Sequence, residues 1–376
     1  MPQARAEKTW VEVNRADLVH NLAEFRKRLA PRTAIMAVVK SNAYGHGARE
    51  VATSILGRRA DNLWFGVDSV QEGATLRKLS RRVGILVLGY TPRDHLALAA
   101  KHDLRLTVYN RETIRSLEKI KTRRRIRVHV KVETGTTRQG VGERELLDFV
   151  KLIKRTPEVL FEGLSTHYAN IEDTSDRRYA MLQLRRFEYA AALLERAGIR
   201  VPMKHTACTA AILLAPETHF NLARLGIGLY GLWPSSRVRD DARARGVKLR
   251  PALVWKTIVA QIKMVPKGTP VGYGLTERVR RASRIAVLPI GYWDGFDRGL
   301  SSRGEVFIRG QRRKIVGRVC MNMCMVDVTD APRVQLEDEV IVLGREISAE
   351  TIAQKLGTVN YEVVTRINPL IPRVLV

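Results

Sequence analysis

The feature that most constrains this chain is a regular alternation of short apolar runs and longer helical stretches between residues 30 and 235. The apolar runs are typical of buried strands and cover residues 34–39, 63–67, 84–88, 105–108, 126–132, 160–166, 201–205 and 220–230. Apolar residues at helical spacing mark the segments 46–58, 68–81, 92–101, 111–122, 142–155 and 176–198. Eight such strand–helix units predict an α/β fold, a (β/α)8 TIM-like barrel. A doubly wound sheet is the alternative, but it usually has a glycine-rich phosphate loop after its first strand, and none is present there.

The pattern changes after residue 235. Residues 236–250 are polar and highly charged, which indicates a linker or domain boundary. Short runs broken by Gly, Pro and Asn then predict strands over residues 253–265, 284–291, 305–309, 314–319, 324–329 and 339–343. We therefore predict a barrel domain over residues 1–237 and a mainly β C-terminal domain over residues 238–376. Residues 8–13 also resemble a strand, which we expect to pair with the later domain.

Membrane and secretory signals are missing from the sequence. No apolar run approaches the roughly 18–20 residues of a membrane span, and the first residues lack the apolar stretch of a secretory signal. The three cysteines, Cys208, Cys320 and Cys324, are too few for a disulfide framework, and no further Cys or His group completes a metal site. We therefore expect a cytoplasmic protein without a membrane partner or a metal.

The net charge is unusually high. The chain carries 65 Lys and Arg against 38 Asp and Glu, a formal charge of +27, and such a charge attracts anions, including nucleic acid. The basic runs are spread along the chain, however, for example at 123–125, 278–281 and 312–314. Aromatic residues make up 6% of the chain and form no RNA-stacking motif. The sequence therefore favours a solvated basic surface over a nucleic-acid partner.

Lys40 ends the first predicted strand and precedes a glycine-containing turn, in the segment AVVKSNAYGHG (37–47). In a barrel this position lies at the carboxyl-end mouth, where active sites form. A strand-end lysine can act there as an amine nucleophile, or it can simply extend its charged end into solvent. Position alone favours the second interpretation.

The run VVKSNAYGHG (38–47) resembles the pyridoxal-phosphate (PLP) lysine signature of the alanine racemase family. Further segments that resemble the family follow in the same order over essentially the whole chain. The resemblance implies a PLP-binding barrel followed by a β domain, and a homodimer whose active sites are shared between subunits. It also implies that Lys40 holds PLP as a Schiff base.

The resemblance assigns the cofactor phosphate to four residues. The hydroxyl of Tyr44 binds it, and the segment HTACTAA (205–211) supplies the hydroxyl of Thr209. The segment NLARLGIGLYG (221–231) supplies the backbone N–H groups of Gly226 and Ile227, which form a nest for an anion.

Three further residues surround the cofactor ring by the same resemblance. Arg224 faces the pyridine nitrogen, where most PLP enzymes have a carboxylate. His205 supports Arg224, and His167, in LSTHYAN (164–170), lies beside the ring and contacts the catalytic tyrosine. An arginine does not protonate the ring nitrogen, so we expect side reactions such as transamination to be suppressed.

The segment KVETGTTRQG (131–140) resembles a family segment with a lysine and an arginine seven residues apart. Arg138 then binds the cofactor's phenolic oxygen and the substrate carboxylate, for which a planar guanidinium is suited. Lys131 corresponds to a lysine that is carbamylated in many relatives, and the resulting anion holds Arg138 in place.

The β domain carries the remaining matches. Tyr273, in VGYGLT (271–276), corresponds to the second catalytic base, which is contributed across the dimer. Tyr292, in PIGYWDG (289–295), lines the substrate entry, and Met321, in GRVCMNMCMVDV (317–328), offers its backbone N–H to the substrate carboxylate.

Three departures from the family pattern bear on the substrate range. Cys208 stands where Asn is common, Asn322 replaces the usual Asp, and Pro369 replaces a tyrosine that binds the phosphate and narrows the pocket. These departures leave the substrate range open between alanine and a broader set that includes serine, lysine or arginine.

The resemblance implies an amino-acid racemase that interconverts L- and D-alanine and supplies D-alanine for peptidoglycan. Lys40 and Tyr273 of the partner subunit act as two bases on opposite faces of a PLP external aldimine. The alternatives are a racemase of broader specificity, a PLP barrel decarboxylase and a non-catalytic PLP- or nucleic-acid-binding protein.

Overall fold

The computed structural model describes residues 7–57 and 62–376. The chain divides into two compact units. Of the described residues, one unit holds 18–41, 52–57 and 62–250, and the other holds 7–17, 42–51 and 251–376.

The first unit contains the predicted barrel. Its strands are β2 (Ala34–Val38), β3 (Leu63–Val67), β4 (Gly84–Val87), β5 (Arg105–Val108), β6 (Ile126–Lys131), β7 (Val159–Ser165), β8 (Met203–His205) and β9 (Leu222–Leu225). They form one parallel sheet of eight strands in the order β8-β7-β6-β5-β4-β3-β2-β9. Between β8 and β9, a hydrogen bond of 3.0 Å from the N–H of Arg224 to the carbonyl of Ala207 nearly closes the barrel.

Most residues of the barrel strands are apolar and buried because both faces of the sheet are covered, as parallel sheets require. All five residues of β2 are buried, and so are all four of β4. This explains why the sequence shows continuous apolar runs instead of alternation at these positions.

Helices connect the strands. They are α1 (Arg15–Arg26), α2 (Lys40–Tyr44), α3 (Ala48–Ile55), α4 (Val70–Arg77), α5 (Leu96–Lys101), α6 (Arg111–Leu117), α7 (Glu143–Arg155), α8 (Arg178–Arg196) and α9 (Thr209–Leu214). Helix α7 shows why the sequence forms them: Leu146, Phe149, Val150 and Ile153 are buried at helical spacing. Its first turn is acidic and its last turn basic, which suits the helix dipole.

The second unit is mainly β. Its strands are β1 (Thr9–Val13), β10 (Leu253–Ile258), β11 (Gln261–Val265), β12 (Ser283–Leu288), β13 (Glu305–Ile308), β14 (Gln311–Val316), β15 (Cys324–Asp327), β16 (Glu339–Leu343) and β17 (Arg373–Leu375). They form a sheet in the order β11-β12-β15-β14-β13-β16-β10-β1-β17. Strand β1 pairs antiparallel with β10 and parallel with β17, as expected of residues 8–13. The predicted fold class is therefore confirmed.

The sequence did not predict α1, α2 and α9, nor three later helices. Helices α11 (Ala349–Leu356) and α12 (Asn360–Thr365) belong to the β unit. The segment predicted as a linker begins with helix α10 (Ser236–Ala244). Ser235 caps this helix by accepting from the N–H of Val238, and Val238 and Ala242 form a short buried stripe. Two apolar residues among so many charges are too weak a pattern to detect in the sequence.

Candidate active site

The carboxyl ends of five barrel strands carry the residues singled out in the sequence. Lys40 follows β2 as the first residue of α2, Lys131 ends β6, and His167 follows β7 by two residues. His205 ends β8, and Arg224 lies in β9, which pairs with β2 so that Arg224 is opposite Met36. In parallel strands the carboxyl ends meet at one rim, so the barrel brings these residues together.

The charges of these side chains affect one another's protonation. Burial, together with the charges of Arg224, Arg138 and Lys40, lowers the pKa of Lys131 to about 8, and Glu133 opposes this shift. Burial also lowers the pKa of His167 well below its usual value, together with the charges of Arg224, Lys131, Arg138 and Lys40. The mouth is thus a cationic site that favours anions and neutral amines.

Arg224 is the centre of a buried hydrogen-bond network. Its Nη1 donates to the carbonyl of His205 at 2.8 Å and to Nδ1 of that ring at 2.7 Å. Its Nη2 donates to the carbonyls of Thr166 at 2.7 Å and Thr206 at 2.8 Å, and contacts Nδ1 of His167 at 3.3 Å. Burial lowers the pKa of Arg224 to about 10, so it stays a cation at neutral pH. These contacts fix the plane of the guanidinium.

The network continues from Arg224 into the barrel interior. Nε2 of His205 lies 2.8 Å from Nδ1 of His129, and Nε2 of His129 lies 3.0 Å from Oε2 of Glu162. Glu162 in turn accepts from Nε of Arg105 at 3.1 Å. Burial opposes ionisation of Glu162, but His129 and Arg105 lower its pKa overall.

The tautomers of both histidines follow from this order of contacts. Burial lowers the pKa of each ring, so both are neutral. The Glu162 carboxylate only accepts, so Nε2 of His129 donates and its Nδ1 accepts. Nε2 of His205 is then the donor, which leaves Nδ1 of His205 as an acceptor for Arg224.

The sequence analysis names neither His129 nor Glu162. One signal was available: His129 precedes Lys131 by two residues on one strand, so both side chains lie on the same face. The space that His129 occupies depends on Gly163, where a Cβ atom would lie 2.5 Å from Nδ1 of His129. Gly163 is therefore needed to leave room for the His129 ring.

The loop that carries Arg138 is organised by Glu133. The carboxylate of Glu133 accepts from the N–H groups of Gly135 at 2.6 Å, Thr136 at 2.7 Å and Arg138 at 3.3 Å. Nζ of Lys131 donates to Oε1 of Gln139 at 3.1 Å. The backbone of the loop is thus fixed, while the side chain of Arg138 is exposed.

Thr209, Gly226 and Ile227 lie together next to β9. The hydroxyl of Thr209 accepts from the N–H of Gly226 at 3.1 Å and from that of Gly228 at 3.4 Å. Ile227 begins a 3-10 helix over Ile227–Tyr230. A Cβ atom at Gly228 would lie 2.4 Å from the ring of Phe25 and 2.7 Å from Thr209, so the turn requires glycine there.

Tyr44 ends an unusual turn. Ser41, Asn42, Ala43 and Tyr44 all have φ between 53° and 54°, so α2 is a left-handed helical turn. This conformation costs about 1–2 kcal/mol per residue. Two guanidinium nitrogens of Arg373 donate to the carbonyl of Gly45 at 3.1 and 3.0 Å and help to hold the segment that follows. The ring of Tyr44 lies 6.1 Å from that of Tyr361.

The β unit brings Tyr292 and Met321 together but buries neither. The N–H of Tyr292 donates to the carbonyl of Cys320 at 3.0 Å, and that of Trp293 donates to the carbonyl of Met321 at 2.9 Å. Tyr273 lies in a tight turn between Gly272 and Gly274, both at positive φ. Its side chain is 72% exposed.

The three departures from the family pattern occupy different surroundings. Cys208 is at the N-cap of α9 and gives no side-chain cap, and burial raises the pKa of its thiol. Asn322 and Pro369 are both exposed. No helix within residues 7–57 and 62–376 has the length and apolarity needed to cross a membrane.

Comparison with known proteins accounts for nearly the whole chain. The alanine racemase N-terminal domain family matches residues 13–234, and the alanine racemase C-terminal domain family matches residues 252–375. An alanine racemase of Methanococcus maripaludis is 39% identical over 97% of this chain and 98% of its own length. One of Desulforamulus reducens is 40% identical over 98% of this chain and 99% of its own length.

Solved structures of alanine racemases also resemble this chain over nearly its whole length. Alanine racemase of Clostridium difficile 630 superimposes with a TM-score of 0.92 at 34% identity, over 98% of this chain and 96% of that protein. The Bacillus anthracis enzyme, solved with bound L-Ala-P, has a TM-score of 0.89 at 33% identity, over 98% of this chain and 95% of that protein. The chain therefore belongs to the alanine racemase family.

Proposed function

We propose that this protein interconverts L- and D-alanine with PLP bound in the barrel mouth, and so supplies D-alanine for peptidoglycan. The observation that carries the proposal is the placement of Lys40, Lys131, His167, His205 and Arg224 at the carboxyl ends of five strands of one barrel. The family membership and the names of the relatives support alanine as the substrate.

The residues of the mouth fit PLP. The four Nη–H groups of Arg224 are used within the protein, whereas among the described residues its Nε–H has no partner. A lone donor on a fixed, buried guanidinium suits the acceptor nitrogen of a pyridine ring. Thr209 and Ile227 offer a hydroxyl and a backbone N–H to a phosphate, and Tyr44 adds a second hydroxyl. The N–H of Gly226 donates to Thr209 in the structure and would turn to the phosphate when it binds.

The chain's own groups then perform the proton transfers. When bound, PLP supplies an electron sink that makes the Cα proton of the amino acid acidic. Nζ of Lys40 removes or returns that proton on one face, and the phenol oxygen of Tyr273 of the partner subunit does so on the other. Arg138 and the backbone N–H of Met321 hold the substrate carboxylate, and Tyr292 lines the entry.

The exposure of the β-unit residues supports the dimer. Tyr273, Leu275, Tyr292, Trp293, Met321 and Met323 are between 43% and 72% exposed. Hydrogen bonds join the segments of Tyr292 and Met321, and a Cβ atom at Gly274 would lie 2.8 Å from Arg318, so the Tyr273 turn packs on the start of the same stretch. Exposed apolar groups that cluster in this way mark a protein interface.

His205, His129 and Glu162 act as positioning residues in this proposal. They do not touch the substrate. Their fixed tautomers keep Nδ1 of His205 as an acceptor, and therefore keep the guanidinium of Arg224 in one orientation.

Lys131 is a candidate for carbamylation. Its pKa of about 8 leaves a fraction of neutral amine at neutral pH, and that amine adds CO₂ to form a carbamic acid that loses a proton. The resulting anion compensates the surrounding cations and pairs with Arg138. A crystal structure with electron density for three further atoms beyond Nζ supports this modification, and density ending at Nζ excludes it.

A heterodimer tests the shared site. Lys40→Ala and Tyr273→Phe chains with different affinity tags are co-expressed, and the mixed dimer is isolated by both tags. One of its two sites then has both bases and the other has neither, so we expect about half of the wild-type racemisation, while each parent homodimer is inactive. An inactive heterodimer with normal circular dichroism would show that both bases come from one chain.

Borohydride reduction tests the cofactor site independently. We expect PLP to be fixed to the peptide containing Lys40 and to be missing from the Lys40→Ala protein. Fixation to another lysine contradicts the assignment, whatever the racemase activity.

Pro369 favours one second candidate, a racemase with a broader substrate range. The exposed proline supplies no hydroxyl, so the entry has one polar group fewer than the family pattern implies. Chiral assays with alanine, serine, lysine and arginine separate the two proposals. We also propose that the protein acts in the cytoplasm, with which its three free thiols agree, and that a domain boundary falls near residue 237.

A further inference from the structure

The amino end of the barrel, opposite the mouth, is a strongly basic face. Its connections lead from a helix into the start of the next strand. Three of them, residues 27–33, 78–83 and 118–125, carry eleven Lys and Arg and a single acidic residue, Glu118. Residues 27–33, 78–83 and 118–125 are far apart in the sequence, but the barrel topology places them at one end of the barrel.

The connections at the carboxyl end, which surround the cationic mouth, do not share this excess of basic residues. The four longest of them, residues 88–95, 132–142, 166–177 and 226–235, carry three Arg against five Asp and Glu. A uniformly basic surface would show no such difference. Eleven cations and one acidic residue give these three amino-end connections ten of the 27 excess positive charges of the chain.

The cations of the basic face are available to a ligand. Ten of the eleven are exposed. Lys27 and Arg28 pair with Glu24, and the other nine form no ion pair within the described part of the chain. Helix-end cations can be explained by the helix dipole, but most of these lie beyond the last helical turn, where that explanation does not apply.

A cleft of about 410 Å³ is cut into this face between the start of β5 and the start of β6. Lys101, Lys121, Arg123, Arg124 and Arg125 line it. Its one acidic residue, Asp103, is already paired with Arg127. Among these five cations, only Arg125 donates a side-chain hydrogen bond to the described part of the chain, to the carbonyl of Val159.

The chemistry of the face restricts its partner. Seven of the eleven cations are arginines, whose planar guanidinium groups match phosphate oxygens. The three connections contain no aromatic residue and no exposed large apolar side chain. Stacking on single-stranded bases, insertion into a lipid bilayer and the apolar core of a protein interface all need such side chains.

We propose that this basic face binds double-stranded nucleic acid through its phosphodiester backbone, without regard to base sequence. The connections before β2 and β6 are four strand spacings apart, roughly 20 Å along the rim, which corresponds to about half a turn of duplex. The partner lies at the end of the barrel opposite Lys40, so binding and racemisation are independent.

Fluorescence anisotropy with labelled DNA duplexes of two unrelated sequences, and with a labelled RNA duplex, tests the proposal on the full-length protein. We compare Lys121→Gln/Arg123→Gln/Arg124→Gln with the control Arg144→Gln/Lys151→Gln/Arg185→Gln, which removes the same charge from exposed positions of α7 and α8. The first variant should lose at least about tenfold in affinity near 0.1 M salt, and its salt slope should fall by about 2–3. The control should retain the affinity, and both variants should racemise normally.

Three results would overturn the proposal. Equal losses in the two variants would mean that only total charge matters. A preference of more than about tenfold for one DNA duplex over a DNA duplex of unrelated sequence would mean that base edges are recognised as well. Binding to phosphatidylserine vesicles without binding to any duplex would assign the face to a membrane.

Discussion

The two proposed parts of the active site, the barrel mouth around Arg224 and the turn that carries Tyr273, differ in burial and in the number of contacts that hold their side chains. In the barrel, Arg224 is buried and held by contacts to Thr166, Thr206 and His205. In the β unit, Tyr273 is mostly exposed on a turn that two glycines make possible. The barrel side is held by contacts within one chain, whereas the Tyr273 side chain is exposed and, in the proposed dimer, would be covered by the partner subunit.

This difference predicts where substitutions affect stability and where they affect only turnover. A buried network contributes to both, because removal of one member leaves its partners without hydrogen bonds. An exposed side chain can be replaced with little effect on folding. The two regions can therefore be distinguished by measuring unfolding and racemisation on the same variants.

The largest effect is expected from Tyr273→Phe. Loss of the phenol proton removes general acid–base catalysis, which is worth about 10²–10⁴ in rate. The free energy of unfolding should change by less than about 0.5 kcal/mol because the side chain is exposed. Chiral assays in both directions and chemical denaturation measure the two quantities. Normal turnover in the variant would remove Tyr273 from the mechanism.

Glu162→Ala should lower both the free energy of unfolding and the rate of racemisation. It leaves Nε2 of His129 and the guanidinium of Arg105 without their acceptor, and we expect a loss of about 2–4 kcal/mol in the free energy of unfolding. Racemisation should fall because Arg224 is no longer oriented. The control Glu195→Ala breaks the exposed ion pair with Lys204 and should cost less than about 1 kcal/mol. Equal effects of the two substitutions would show that the network is not stabilising.

Gly163→Ala tests the same network by steric means. The added methyl group meets Nδ1 of His129 at 2.5 Å, so we expect a cost of about 1–3 kcal/mol. The control Gly57→Ala meets nothing within 4 Å and should be close to neutral. Thermal unfolding of both proteins provides the comparison, and a neutral Gly163→Ala would mean that the His129 ring can move aside without cost.

The pH dependence of stability should reflect the barrel histidines. Burial lowers the pKa of His129 and of His205, so below about pH 6.5 the unfolded chain takes up protons that the folded chain does not. Stability is therefore complete above that pH and decreases on acidification. We expect the midpoint of thermal unfolding to fall by at least about 2 °C between pH 7 and pH 5. An unchanged midpoint would contradict neutral histidines in the folded barrel.

The sequence predicted the barrel well because parallel strands buried on both faces leave continuous apolar runs. Strand β3 lies at the predicted residues 63–67, and the other seven barrel strands lie within or close to their predicted runs. Helix α10 was missed because only Val238 and Ala242 are buried in it. Patterns of burial are visible in a sequence only when many residues share them.

The site residues were predicted from family motifs, but these motifs do not include every residue of the buried hydrogen-bond network. Lys40 and Arg224 lie in recognisable segments, but His129 and Glu162 lie within strands whose apolar neighbours dominate the pattern. A polar residue inside a barrel strand needs a buried partner from another strand, and that partner cannot be identified until the strand register is known. Glu162 adjoins Gly163, which is paired with His129.

The smallest expected effect concerns the phosphate side of the mouth. Thr209→Val keeps the shape of the side chain but removes the hydroxyl that accepts from Gly226 and Gly228. One lost hydrogen bond corresponds to about 1 kcal/mol, so PLP affinity should fall by roughly fivefold to tenfold while the fold is retained. Thr209→Ser keeps the hydroxyl and should bind PLP as the wild type does. Equilibrium dialysis of the three proteins measures this, and equal affinities for the valine and serine variants would mean that the phosphate is held by backbone N–H groups alone.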